Sequence, residues 1–355
     1  MAKPLASLRH VRWAVSALFA ALGLLAVWPA QGTDAAIADA VITGEANAPT
    51  LSAYGFFLGS PDRPSPLLIP YTLATPLFSD YADKRRFIYL PPGTRMQANG
   101  DGLIDFPVGA ALIKSFGYAQ ADGSYRTIET RLLLRRASGW VALPYIWRAD
   151  GSDADLRVAG GRQPVSFTDP SGVVRTVSYA VPNRNQCKNC HELGGEVTPI
   201  GPKLRNIELS APARAQVAGA EWNGVRLPRW DDTGTGSLDA RARAYLDVNC
   251  AHCHNPRGSA SNSGLFLEYE RPMSQVTGLW KRPVAAGRGS GGFDFDIEPG
   301  HPERSILLYR LGSLDPGIAM PELGRGLVHG EGLSLLGQWI AAMPATSPPV
   351  SETNP

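Results

Sequence analysis

The chain has 355 residues, room for two or three domains at roughly 100 to 200 residues each, and 44% of them are hydrophobic, ample for real cores. Its 34 basic and 32 acidic residues leave a net charge of +2 with no basic stripe, which excludes a typical nucleic-acid binder. It holds only four cysteines and six histidines, so the places where they gather carry information.

Residues 1–32 set Lys3, Arg9 and Arg12 ahead of an apolar run from Trp13 to Trp28, the layout of a secretory signal peptide. A cut after Gly32 suits the small-residue rule, and one after Ala35 suits it too. Left uncut, the run would be a membrane anchor and the chain's one membrane contact, though it is short for a full span. Removal of residues 1–32 takes three of the 34 basic residues and none of the 32 acidic ones, so the mature chain, at 31 against 32, is nearly neutral. Residues 33–69, rich in Ala, Pro, Gly and Ser, read as a loosely structured lead-in.

From 70 to 182 the pattern changes to short β-type runs between turn residues. "RFIYL" (86–90), "AALIKSFGYA" (110–119), "YRTIETRLLLRR" (125–136), "GWVALPYIWR" (139–148) and "GVVRTVSYA" (172–180) predict an antiparallel sandwich or barrel. In the third run Ile128, Thr130, Leu132 and Leu134 alternate with Thr127, Glu129, Arg131, Leu133 and Arg135, which apart from Leu133 is the signature of a half-buried strand. Tyr145 and Trp147 share a strand face and read as core residues more readily than as a binding platform.

After Pro182 the β pattern stops and the chain becomes loop-rich. A first segment, 183–236, contains "NQCKNCHE" with no predicted helix ahead of it. A second, 237–343, begins with a helix that Ser237 can cap and whose Leu238, Ala242, Tyr245 and Leu246 share a face; it runs into "VNCAHCHN". A last helix, with Leu333, Leu336, Trp339 and Ile340 on one face, precedes a Pro-rich tail, 344–355, predicted to be disordered.

The two quoted motifs use every cysteine in the chain, as Cys187, Cys190, His191 and Cys250, Cys253, His254. Cys-x-x-Cys-His is the attachment signal of c-type haem: two thiols spaced for the two vinyl groups of one porphyrin, and an imidazole next door for its iron. A four-thiolate zinc site, a disulfide pair or a redox dithiol would use the cysteines equally well, but none of them needs a histidine after the second cysteine, twice. Two covalently bound haem c groups are therefore expected. His252, a spacer inside its motif, reads as a solvent-side residue. In bacteria such haem is attached outside the cytoplasmic membrane, so the motifs and the leader agree on a periplasmic location.

Residues 237–343 resemble a class I cytochrome c domain, through the helix entering "CAHCH", the loop "AMPELGR" (319–325) and the closing helix with Trp339. The resemblance implies that Met320 supplies the second axial ligand opposite His254. "TPIGPKLRNIEL" (198–209) is similar to the haem-packing loop of small cytochromes. Over roughly 70–343 the chain resembles a bacterial group of diheme c-type cytochromes with an N-terminal β domain, on "LFSDYADKRRFIYLPPGT", "DFPVGAALIKSFGY", "PNRNQCKNCH" and "ARAYLDVNCAHCHNP". No methionine or further histidine lies between His191 and Cys250. The sixth ligand of the first haem is therefore water, absent, or a distant residue: Met96, Met273, His301 or His329, with Lys203 and Tyr145 as remoter choices.

Two functions follow. One is electron transfer between periplasmic redox donor and acceptor proteins. The other is a haem enzyme, peroxidase- or oxygenase-like, with an open first haem and the second as relay. Electron transfer leads, because the second haem has a full ligand set, and the sequence assigns no catalytic residue.

Overall fold

The computed structural model describes residues 36–99, 102–120, 122–219 and 224–345, and in it the β-type runs become strands within a few residues of their expected ends. In chain order, helix α1 (Asp39–Thr43) precedes β1 (Ile69–Leu73), β2 (Asp83–Tyr89), β3 (Met96–Ala98), β4 (Ile104–Asp105), β5 (Ala111–Ala119), β6 (Tyr125–Arg136), β7 (Gly139–Trp147), β8 (Ala154–Leu156), β9 (Gly161–Thr168) and β10 (Val174–Val181). Helix α2 (Arg184–His191) leads to β11 (Glu192–Leu193), β12 (Glu196–Val197), β13 (Ile207–Glu208), α3 (Ala211–Arg214) and β14 (Val217–Ala218). The rest is loop and helix: α4 (Leu238–Asn249), α5 (Ile306–Leu311) and α6 (Gly330–Ala341). The expected leader, 1–32, and all but the first two residues of the expected tail lie outside the described residues. No described helix is long and apolar enough to cross a membrane.

Seven strands pair antiparallel in the order β13-β1-β2-β5-β6-β7-β8, and among the described residues no ladder joins β13 to β8, so this sheet is open rather than a closed barrel. Strand β6 departs from the half-buried expectation. Ile128, Thr130, Leu132 and Leu134 are buried as their alternation implies, but on the other face Glu129 is 0% exposed and Leu133 is buried too. Both faces are covered, each by a segment without regular strand periodicity.

The first cover is the lead-in. Residues 36–69 are ordered, against the loose structure their composition predicts: Ile42, Leu51, Tyr54 and Phe56 pack onto Leu132, Leu134, Leu143 and Tyr145. Burying one such side chain is worth about 1.5–3 kcal/mol, enough to hold a segment whose apolar residues follow no period. Arg136 fastens it by donating to the carbonyls of Ile42, Glu45 and Ala46. Tyr145 and Trp147 are core residues, as expected.

The second cover comes from beyond residue 182. Ile88, Leu112, Leu133 and Ala142 pack against Cys187, Leu204 and Val217. The segment 183–219 is thus folded onto the β region, and its β13 completes the sheet edge. The hairpin β9–β10 joins at one end, where Val165, Phe167, Val177 and Tyr179 meet Phe116 and Tyr118.

Helices α4 and α6 form as their patterns predict. Ser237 accepts from the Ala240 amide at 3.1 Å, and Ala242, Tyr245 and Leu246 pack with Leu336, Trp339 and Ile340. Trp339 Nε1 donates to Asp239 Oδ1 at 2.9 Å, pinning the last helix to the start of α4.

Two polar ties connect these parts. Asp80, buried, accepts from the amides of Gly326 and Leu327 at 2.8 and 2.9 Å. Arg205 Nη2 lies 3.0 Å from Asp247 Oδ1, both groups buried, and Arg205 also binds Glu270. Removing one partner of a buried pair strands the other charge, so Arg205→Ala is expected to cost about 3–5 kcal/mol in chemical denaturation. Burial alone would raise the Asp247 carboxyl, but Lys203 and Arg205 outweigh it and hold it below the usual carboxylate range. A native pKa depressed in this way stabilises the fold above the unfolded value of about 3.9, and that contribution disappears as pH falls through the native one. Arg205→Ala should flatten this acid limb; a variant with wild-type stability at every pH would contradict the assignment.

Candidate functional site

Pro182 follows β10, and Asn183 opens the next element with a capping box: its side chain accepts from the Gln186 amide at 2.8 Å and the Gln186 side chain accepts from the Asn183 amide at 2.9 Å. The first motif therefore lies on helix α2, where spacings of three and four residues bring Cys187, Cys190 and His191 to one side. All three line a cavity of about 200 Å³. Thr198 holds the imidazole from behind: its amide donates to the His191 carbonyl at 2.6 Å, and its carbonyl oxygen lies 3.2 Å from His191 Nδ1. That leaves Nε2 as the free ring nitrogen, the arrangement by which an outer carbonyl orients a ligating histidine. Burial, reinforced by Lys114, pushes His191 down to about 3, so its ring is neutral, the metal-binding form.

Helix α4 ends at Asn249, and the backbone turns so that Cys250, Cys253 and His254 line a second cavity, of about 640 Å³. His254 Nδ1 lies 3.3 Å from Ser263 Oγ. Met320 lines the same cavity, brought there from the far end of the chain. Its backbone is held on both sides: the amide donates to the Arg310 carbonyl at 3.0 Å, and the carbonyl accepts from Arg325 Nη2 at 2.8 Å.

The two motifs are in contact. Cys253 Sγ lies 3.3 Å from the Asn189 carbonyl, which also accepts from Ser259 Oγ at 2.9 Å. Ligand atoms of Cys190, His252 and Cys253 lie within 4.8 Å of one another. Cys190, Asn249, His252, Pro321 and Leu323 line both cavities, so the cavities share a wall. His252 is thus not the solvent-side spacer its position implies; its Nδ1 is buried without a hydrogen-bond partner among the described residues. The motif pattern cannot reveal this, because the position is unconstrained within one motif and acquires its place only when two motifs pack. None of the four cysteines forms a disulfide.

The distant ligand candidates separate by position. Met96 is fully buried against Phe106 and Leu112, Met273 packs in the α4–α6 core, and His301 sits beside Glu303 at 3.2 Å on the surface. Tyr145 belongs to the lead-in core, its hydroxyl donating to the Ala48 carbonyl at 2.8 Å. None of these lines either cavity, whereas His329 and Lys203 line the first. His329 is 7% exposed although its turn position predicts a surface residue. Its ring stacks on Phe78 with centroids 4.1 Å apart, and its Nδ1 lies 2.9 Å from the Tyr245 hydroxyl. Burial holds it down to about 4, so it too is neutral near pH 7.

These donors suit a c-type haem at each motif. The second cavity falls inside the roughly 300–1,000 Å³ range of cofactor sites and offers two thiols, an imidazole and a thioether. The first is below that range, and its case rests on its donors: two thiols and an oriented, neutral imidazole. Compared with known protein families, curated proteins and solved structures, the chain gives no match.

Proposed function

We propose that the protein is an exported diheme c-type cytochrome that carries single electrons between periplasmic donor and acceptor proteins. The observation that carries this reading is the pairing of the two Cys-x-x-Cys-His sets with two adjoining cavities, one of which also receives Met320. Bound there, the two groups would supply one-electron redox chemistry. The chain's part is to anchor them through Cys187, Cys190, Cys250 and Cys253, and to orient His191 and His254 through their Nδ1 partners. It also keeps the two sites against one shared wall. The packing of α4 on α6 supports the resemblance of 237–343 to a class I cytochrome c domain, and the open β sheet serves as the scaffold of the first site. The periplasmic location rests on the expected leader and on where such haem is attached.

A second reading, a haem enzyme acting at the first cavity, is favoured by the absence of a methionine from that cavity's lining and by its density of cationic side chains. Both readings require the same cofactor content. Protein produced in a host with haem-attachment machinery should give two haems per chain by pyridine haemochrome, and one after Cys187→Ala with Cys190→Ala. A chain carrying one zinc ion and no haem would sink both readings and turn attention to the Cys190, His252 and Cys253 donors.

A further inference from the structure

We infer that Arg86, Lys114 and Arg131 form the floor of a binding site, within the first cavity, for a group bearing anionic oxygens, a carboxylate or a small oxyanion. The sheet register places the three side by side: Arg86 pairs with Lys114 between β2 and β5, and Lys114 with Arg131 between β5 and β6. Like charges directly opposite one another destabilise a sheet, and here all three line the cavity.

The chain neutralises this row incompletely. Glu129, fully buried, takes Arg131 Nε at 2.9 Å and also accepts from the Tyr179 hydroxyl at 2.6 Å. The guanidinium of Arg86, a residue 9% exposed, donates among the described residues only to the Lys84 carbonyl, at 3.0 Å. The Lys114 ammonium makes no hydrogen bond or ion pair among the described residues; its Nζ lies 5.2 Å from the centroid of the Phe116 ring. Burial, then Arg131 and Arg86, push the Lys114 ammonium down to about 7, a measure of what its charge costs there.

Arg325 adds an independent sign. It lines the same cavity; its Nη atoms donate to backbone carbonyls, but its Nε is buried with no partner among the described residues, and no carboxylate pairs with it there. In all, five cationic side chains, Arg86, Lys114, Arg131, Lys203 and Arg325, face one carboxylate in the lining, Asp247. Asp247 is already engaged by Arg205 at 3.0 Å and Lys203 at 3.7 Å. Buried charge is retained where something pairs with it, and guanidinium groups fit oxyanions and carboxylates through paired N–H donors. The missing counter-charge is therefore assigned to a ligand.

Two sources share this chemistry: the propionates of a porphyrin held by Cys187 and Cys190, which rests on the reading above, and a free anion, which does not. The test uses the full holoprotein as wild type, Lys114→Gln and Arg86→Gln. Nitrite, acetate and inorganic phosphate are titrated calorimetrically at constant ionic strength, and both haem potentials are measured. Saturable binding of one anion, weakened at least tenfold in Lys114→Gln, establishes a free-anion site. No anion binding, together with one potential lowered by a tenfold bias, about 59 mV for one electron, in either variant places the porphyrin carboxylates there. Variants that fold with unchanged or higher melting temperatures, bind anions as wild type does and keep both potentials overturn the proposal. Should Lys114→Gln fail to fold, Arg86→Gln carries the same comparison. A purified chain without haem defeats the cytochrome reading alone, because the anion titration still decides this one.

Discussion

Met320→Ala is expected to leave one haem per chain able to take up carbon monoxide and to lower its reduction potential, while the other haem keeps its spectrum. Met320 is the one methionine lining the second cavity, which also holds Cys250, Cys253 and His254. A thioether opposite an imidazole saturates the iron and raises its potential relative to two nitrogens, and axial ligation as a whole spans roughly 0.8 V. The loss should therefore read as a few tenths of a volt, with one more carbon monoxide site than wild type has. Met320→His separates coordination from packing: it restores a sixth ligand, so carbon monoxide is again excluded, but the potential stays low. Truncating a core methionine costs about 2–5 kcal/mol, and the half-buried Met320 falls at or below that range, so the variant should fold. A Met320→Ala protein that excludes carbon monoxide and keeps its potential would remove Met320 from the coordination sphere. The loop's anchor offers no escape from that result, because Arg325 and Arg310 hold the backbone at 320 and not the side chain.

What could be read from the sequence was local. The run 125–136 becomes β6 with both ends in place, and Ser237 caps α4, because alternation, turn residues and capping chemistry act over a few residues. The Cys-x-x-Cys-His motifs are legible for the same reason. Features that depend on packing were not legible. The lead-in shows no period, yet Ile42, Leu51 and Tyr54 are core residues because they meet a sheet face formed far along the chain. Glu129 and Arg131 alternate with apolar residues as an exposed face would, yet Glu129 is fully buried and bonded by the Tyr179 hydroxyl of the β9–β10 hairpin, and Arg131 lines the first cavity. The row Arg86, Lys114, Arg131 exists only through the register of two ladders. A slip of one residue would turn each of these side chains to the other face. The contact between the two motifs likewise depends on how distant segments pack, which no spacing within either motif encodes.

His329→Ala decides what kind of site the first cavity is. Of the donors proposed to face His191 from a distance, His329 and Lys203 line that cavity, and Lys203 is drawn to Asp247 at 3.7 Å. His329 is neutral, buried and gripped: Phe78 stacks on it, Trp230 meets it edge-on with centroids 4.9 Å apart, and the Tyr245 hydroxyl bonds Nδ1. Its Nε2 lies 3.8 Å from Glu331 Oε2, so the ring is held at both nitrogens and is oriented more like a ligand than like a surface histidine. If it completes the first site, wild type excludes carbon monoxide at both haems and His329→Ala admits it at one, with the Met320-dependent potential unchanged. The variant also strands the Tyr245 hydroxyl, an expected loss of about 1–3 kcal/mol that appears as a lower melting temperature. His329→Met refills the space and supplies a sixth ligand, so carbon monoxide is excluded again if position 329 completes the site. The opposite outcome is equally informative: a wild-type protein that already binds carbon monoxide at one haem, unaltered by His329→Ala, has an open first iron. The cations lining that cavity would then surround a substrate, and the enzyme reading would displace simple electron carriage.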